Sequence, residues 1–269
     1  MWKLSAAVKA GDTVVVVGGT GGVGQLVAKK LASRGDLNVR VTSRNKERGE
    51  KTIADESVQV VEVDLVGGSD VQLEAALENS SALVVSVGTT AFPTQKWSGG
   101  NTPEAIDKIA VSRIADVAAK LRSIKKIVLL TSVGVERTSQ MPFLILNLFK
   151  VLDAKKSGEE AVIKAATRSS FDYVIVRPGR LVGGPYTNLD VASLLKIEGG
   201  AENGVDIELG DTLLGDCKRD ACAEAVVQCL VNENCKDLAF SIISNDKSAL
   251  SNDQWTALFE TLSTTAQKK

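Results

Sequence analysis

Six short runs of aliphatic, mostly β-branched residues dominate the first two thirds of this 269-residue chain. They are Thr13–Val17, Asn38–Thr42, Val58–Val63, Ala82–Val87, Lys126–Leu130 and Tyr173–Val176. A strand with one face in water alternates apolar and polar residues, whereas a strand covered on both faces reads as nearly continuous Val, Ile and Leu. Helical patterns fill the gaps at Gly22–Ser33, Asp70–Leu77, Pro103–Leu121 and Val151–Ala166. This alternation predicts an α/β fold, a doubly wound parallel sheet built from right-handed βαβ units. After Pro178 the rhythm changes. Strands are expected at Val205–Leu209 and Leu238–Ile243, with helices at Leu189–Ile197, Asp220–Val231 and Ser251–Leu262. No linker marks a boundary. Residues 12–180 therefore read as a core and residues 181–269 as a smaller substrate-side extension of one domain.

The first strand runs directly into Gly18-Gly19-Thr20-Gly21-Gly22-Val23-Gly24 and then a helix. Both GxGxxG (Gly19, Gly21, Gly24) and GxxGxxG (Gly18, Gly21, Gly24) fit. Glycines at this spacing allow a tight turn, close approach of backbone to a pyrophosphate, and close helix–strand packing, while the helix N-terminus offers N–H donors and positive dipole. A glycine-rich turn with no ligand is the competing reading, and the strand–loop–helix context argues against it. The second strand ends in Ser43-Arg44, with Lys46 close behind, and no acid lies between Asp36 and Glu47. A site for NAD places an acid here for the ribose 2′-hydroxyl. A guanidinium instead matches a 2′-phosphate, so Arg44 and Ser43 point to NADP(H), against the plain alternative of an exposed loop arginine. Asp64-Leu65 would lie at the adenine edge, and Gly88-Thr89 near the cofactor's ribose and phosphates.

The composition narrows the chemistry. Apolar residues make up 44% and charged residues 24%, which excludes a globally disordered chain. Net charge is −1, from 32 basic and 33 acidic residues. Nucleic-acid binding needs a basic excess or stripe, and neither is present. The longest apolar stretch, Met141–Phe149, falls far short of the roughly 20 residues a bilayer span needs. Met1–Asp12 shows no signal-peptide pattern. Histidine is absent, which removes Ser-His-Asp chemistry and histidine metal ligands together. Cys217, Cys222, Cys229 and Cys235 lack CxxC spacing, so they read as small buried apolar residues and no metal is expected.

Taken together, these residues resemble the atypical short-chain dehydrogenase/reductases, the NmrA-like NAD(P)-binding group of the Rossmann fold. The matching pieces are Gly18–Gly24, Arg44, Asp64-Leu65, Thr131-Ser132-Val133-Gly134, Lys155 within Asp153–Glu160, and Val176–Arg180. The closest likeness is to plant and algal chloroplast members of unknown reaction, through Gly88–Thr94, Asn101–Glu104, Pro142–Leu152 and Arg177–Thr187. The resemblance implies a chloroplast protein; without it the expectation is cytoplasmic. It also implies that Thr131 and Ser132 end the fifth strand beside the nicotinamide. Lys155 would bind the nicotinamide ribose hydroxyls, Pro178-Gly179 would line the nicotinamide carboxamide, and Arg180 beside them would belong to the cofactor site.

The departures bear on catalysis. Active short-chain dehydrogenases carry Tyr four residues before the Lys, and here Val151 holds that position. Tyr173 falls inside a strand. Tyr186, on the loop that would cover the nicotinamide, is the remaining candidate beside Ser132 and Lys155. Where the family often has an aromatic and a Gly after Asp107, this chain has Lys108-Ile109-Ala110, so the fourth helix is expected to approach the cofactor differently. Two functions stay open: an NADPH-dependent reductase of a small apolar or conjugated substrate, and a non-catalytic NADP-binding redox sensor or assembly factor. Met141–Leu152 is similarly divided between a buried pocket wall and an exposed patch that meets a protein or membrane surface.

Overall fold

The computed structural model describes residues 7–184 and 204–268. In chain order the elements are β1 (Thr13–Val17), α1 (Gly24–Ser33), β2 (Asn38–Ser43), α2 (Lys46–Ile53), β3 (Val58–Glu62), α3 (Asp70–Leu77) and β4 (Ala82–Val85). A π-helical stretch, Glu104–Ala110, runs on into α4 (Val111–Lys120). Then come β5 (Lys126–Leu130), α5 (Phe143–Leu146), α6 (Val151–Thr167), β6 (Asp172–Pro178) and β7 (Arg180–Val182). The remaining elements are β8 (Val205–Leu209), β9 (Asp216–Lys218), α7 (Arg219–Val231), β10 (Leu238–Ser244) and α8 (Asn252–Ala266).

Eight strands form one sheet in the order β3-β2-β1-β4-β5-β6-β10-β8, parallel except for the antiparallel edge strand β8. The unbroken valine run of β1 has a direct cause. Val14 and Val16 face a core built with α1, α7 and α8, including Leu31, Val226, Trp255 and Phe259. Val15 and Val17 face the opposite core, with Leu73, Ile114 and Val162 of α3, α4 and α6. β10 pairs with β6 and β8 with β10, so the C-terminal part extends the same sheet. β7 and β9 form a separate two-stranded ribbon. All four cysteines are free and buried.

The structure corrects several sequence boundaries. The first helix starts at Gly24 rather than Gly22, because the two preceding residues belong to the glycine turn. β4 ends at Val85, two residues early. The expected helix Pro103–Leu121 is π-helical in its first part. α2 carried no apolar periodicity; it is set by its cap, in which the Asn45 side chain accepts from the Arg48 amide, and it ends at Ala54 in the left-handed region. The helix expected at Leu189–Ile197 lies outside the described residues.

Candidate functional site

The strand order reverses between β1 and β4, and in such sheets ligands sit beyond the C-terminal strand ends at that switch point. The glycine loop is there. Gly18 has φ +79°, and a Cβ on it would lie 2.7 Å from the Ser86 carbonyl oxygen at the end of β4. Its amide donates to Thr42 Oγ1 at 3.3 Å, joining the loop to β2. A Cβ on Gly24 would stand 2.3 Å from the Gly18 carbonyl oxygen, so this glycine is fixed by packing. Gly21 differs: its Cβ would meet that oxygen at 3.2 Å, a contact that yields to a small shift. Gly19 packs on Val41, while Thr20 and Gly22 are half-buried turn residues. The amides of Gly22 and Val23 have no acceptor among the described residues, which leaves donors at the head of α1.

Arg44, at the end of β2, is exposed and forms no ion pair with a described residue. Ser43 is buried, and its hydroxyl donates to the Asn45 carbonyl at 2.8 Å. The same oxygen accepts the Asn45 amide at 3.3 Å, so Ser43 shapes the turn that presents Arg44 and keeps one lone pair for a ligand. The sequence stretch lacked an acid, but the fold supplies one from the neighbouring strand. Glu62 is in register with Ser43, and its Oε2 accepts the Lys46 amide at 3.1 Å. Cross-strand register, which a linear reading cannot see, brings it in. Asp64 folds back to accept the Val66 amide at 2.9 Å. The Leu65 carbonyl accepts from Arg113 of α4, which fixes the loop.

Beyond β4, one buried carboxylate gathers three segments. Asp107 is 2% exposed and sits on the π-helical stretch. Its Oδ1 accepts from Lys155 Nζ at 2.5 Å, and its Oδ2 from the Thr89 amide at 3.1 Å and the Thr89 hydroxyl at 2.5 Å. Gly88 lies directly beneath, since a Cβ there would be 2.8 Å from Lys155 Nζ. Gly158 permits the approach, because its Cβ would meet the Asp107 carbonyl at 2.4 Å. The irregular start of the fourth helix is thus what delivers a carboxylate to Lys155. Asp107 was flagged in the sequence only by its unusual neighbours.

Ser132 follows β5, with its hydroxyl donating to the Val133 carbonyl at 3.0 Å. Thr131 faces α6 instead and donates to Glu159 Oε1 at 2.5 Å. Glu159 in turn holds the buried Arg177 at 3.1 and 2.7 Å. Burial alone would lower the Arg177 pKa, but the Glu159 and Glu136 carboxylates more than offset that. This network locks α6, and so Lys155, to the ends of β5 and β6. The Pro178 carbonyl accepts the Val133 amide, and the Gly179 amide donates to the Ile242 carbonyl, so both serve the sheet. Arg180 is exposed and forms a two-pronged bond with Asp216, both prongs at 2.8 Å. Tyr186 lies outside the described residues.

The loop after β5 is clamped from the C-terminal part. Asp211 accepts the amides of Gly134 and Glu136 and pairs with Arg137 at 2.8 Å. Burial works to raise its pKa, but the Arg137 hydrogen bond and the two amides prevail and hold it below the ordinary carboxylate value. A carboxylate depressed in the folded state stabilises fully above its unfolded pKa, and that contribution is lost as pH falls through the folded value. Wild type should therefore lose more stability than Asp211→Asn on going from neutral pH to below about pH 4. Thermal melts at both pH values check this, and parallel acid losses would contradict it.

Val133, Val135, Phe143, Val151 and Leu152 form a third apolar cluster, with Ala91 and Leu146 packed on it. Val151 is buried there, so the position of the usual tyrosine is filled by a hydrocarbon. Met141–Leu152 is divided. Phe143, Val151 and Leu152 are buried, whereas Met141, Leu144, Ile145, Leu148 and Phe149 are exposed. The Phe149 ring meets Phe92 and Trp97 edge-on, with centroids 6.0 and 6.1 Å apart. No helix among the described residues is long and apolar enough to cross a membrane.

A mostly parallel sheet, a glycine loop at its switch point and amides at the head of α1 with no acceptor among the described residues define a nucleotide-binding α/β protein. The chain belongs to the NAD(P)H-binding family, whose model matches residues 18–233. It is 29% identical over 228 residues to the uncharacterized chloroplastic protein At2g34460 of Arabidopsis thaliana, covering 82% of this chain and 72% of that one. It is 28% identical to the chloroplastic protein TIC 62 of Oryza sativa subsp. japonica, over 71% of this chain but 44% of that longer one. A short-chain dehydrogenase/reductase from Veillonella parvula, solved in complex with NADP, superposes with a TM-score of 0.63 at 14% identity, over 88% of this chain and 96% of that one.

Proposed function

We propose that this chain is an NADPH-dependent reductase of a small, apolar, conjugated substrate such as an enone or quinone. The observation that carries the reading is the pairing of Lys155 with Asp107 next to a buried Val151. Alcohol oxidation needs a base for the hydroxyl proton, and a cationic lysine to favour the anionic form of that base. Here the base is replaced by valine and the lysine's charge is cancelled. Bound NADPH would supply a hydride, and a conjugated acceptor would take it together with a proton from Ser132, Tyr186 or water. The chain's own part is then to hold the pyrophosphate at Gly18–Gly24, bind the ribose and phosphate side at Gly88-Thr89, seat the nicotinamide against Ser132 and Pro178-Gly179, and offer an apolar wall through the Val133–Val151 cluster. Ser132 and Tyr186 remain the hydroxyls to test as proton donors. The chloroplastic relatives support a plastid location.

The exposed row Met141, Leu144, Ile145, Leu148 and Phe149 favours a second reading. In it, a non-catalytic NADP-binding sensor or assembly factor meets a protein or membrane surface through that segment. The two readings separate on turnover, because only the reductase oxidises NADPH when offered conjugated acceptors.

Cofactor choice follows from Arg44 and Glu62. NADP(H) should bind at least about tenfold more tightly than NAD(H), which one phosphate–guanidinium contact of about 1.4 kcal/mol supplies. Arg44→Ala should remove most of that preference. Glu62→Gln, which removes a negative charge beside the same site, should raise NADP(H) affinity roughly two- to fivefold. Calorimetric titration of both cofactors checks this, and equal wild-type affinities would contradict it.

A further inference from the structure

Lys155 and Asp107 lie in a place where a net charge would be felt by the cofactor. Lys155 Nζ stands over Gly88, just past the end of β4, and β4 and β5 flank the half of the crevice opposite the Arg44 side. The pair is nearly closed to water, with side chains 11% and 2% exposed, so it is poorly screened. Asp107 is also held independently of Lys155, through the Thr89 amide and hydroxyl. The carboxylate thus has a scaffold of its own, and its ionic partner is the ammonium.

The two forms of the cofactor differ in one respect at this point: the oxidised nicotinamide ring is a cation and the reduced ring is neutral. A lone ammonium beside the ring would disfavour the oxidised form, and a paired one does not. We propose that Asp107 is a positioning residue that cancels the charge of Lys155 and thereby sets the relative affinity for NADP+ and NADPH. This rests on the reading that the nicotinamide lies over the ends of β4 and β5. The consequence is that oxidised cofactor is retained nearly as well as reduced cofactor. Such a site reports the redox state of the pool weakly and is suited to turnover. Loss of the Asp107 charge would convert it into one that selects NADPH.

Asp107→Asn keeps the shape and, with its one oxygen toward Thr89, both Thr89 contacts, while its NH2 group faces Lys155 and the charge and the ion pair are removed together. Titration with NADP+ and with NADPH should show the NADP+:NADPH affinity ratio falling about tenfold or more. One uncompensated charge about 4 Å from the ring is worth roughly fivefold at a water-like dielectric of about 80 and far more at about 20, so tenfold stands near the low end of the expected effect. The double variant Asp107→Asn/Lys155→Gln carries neither charge. Both affinities should fall in it, while their ratio returns to near the wild-type value. A merely structural role for Asp107 would weaken both forms equally and leave the ratio unchanged, which would overturn the proposal. Should Asp107→Asn fail to fold, Lys155→Gln provides the opposite sign. Its Asp107 carboxylate remains on Thr89, so the ratio should move toward NADP+, and an unmoved ratio there would equally overturn it. A wild type that binds neither form would instead refute the cofactor reading itself.

Discussion

Replacing Gly21 by valine should abolish NADP(H) binding in a chain that still folds. Gly21 lies in the glycine turn ahead of α1, where the proposed reading seats the pyrophosphate and a branched side chain would take its space. Among the described residues its Cβ would meet the Gly18 carbonyl oxygen at 3.2 Å, which a small adjustment accommodates, and the Ser86 carbonyl oxygen at an ordinary 3.7 Å. The ligand has no such freedom. Losing two hydrogen bonds between backbone amides and a charged phosphate, at about 1.5–3 kcal/mol each, weakens binding by more than about 100-fold. Gly24→Val provides the contrast. Its Cβ would lie 2.3 Å from backbone, so the variant should unfold or melt far below wild type. Calorimetry together with circular dichroism separates the two outcomes. A folded Gly21→Val protein with unchanged NADPH affinity would show that the glycine loop is a turn and nothing more.

The second large effect is an absence of activity. Wild type should oxidise simple secondary alcohols with NADP+ poorly or not at all, despite competent cofactor binding. General acid–base help is typically worth 10²–10⁴-fold, and the groups that would give it are missing or occupied. Val151 is buried hydrocarbon, Lys155 is paired with Asp107, and the Ser132 hydroxyl is turned to the Val133 carbonyl. Steady-state assays of wild type beside Ser132→Ala, Lys155→Ala and Tyr186→Phe test this. Efficient alcohol oxidation lost specifically in Tyr186→Phe would overturn the account, because a displaced tyrosine would then be doing what Val151 cannot.

Much of this architecture was legible because burial on both faces leaves a direct mark on composition. β1 and β5 fall where their aliphatic runs predicted, since their side chains face a core on both sides of the sheet, and β8 falls where its alternation predicted, as an edge strand with Asp206 and Glu208 exposed. α3 spans Asp70–Leu77 as its helical pattern predicted, and the structure adds the Ser69 side chain as its cap. What escaped notice was set by other forces. α2 hides because only Gly49 and Ile53 are buried, so it has no apolar stripe, and its signal is the Asn45 cap. The ribbon strands β7 and β9 have three residues each, too few for any periodicity.

In the site, local motifs were readable and convergences were not. The glycine loop declares itself because its steric demands fall on consecutive residues. Glu62 reaches the Arg44 region through strand register, and Asp107 reaches Lys155 through a π-helical offset and the small Gly158. Asp211 clamps the loop after β5 from 77 residues further along the chain. Nothing in the linear sequence announces such pairs, because each depends on how separate elements stack.

The measurement that bears most directly on the central claim is the oxidation of NADPH bound to the wild-type protein, followed by its absorbance as enones and quinones are added, with NADP+ and secondary alcohols run in parallel. The account predicts saturable NADPH oxidation by at least one class of conjugated acceptor, little or no reverse reaction with the alcohols, and loss of the activity in Gly21→Val. Tight NADPH binding with no acceptor able to oxidise it would contradict the reductase and leave the cofactor-binding sensor in its place.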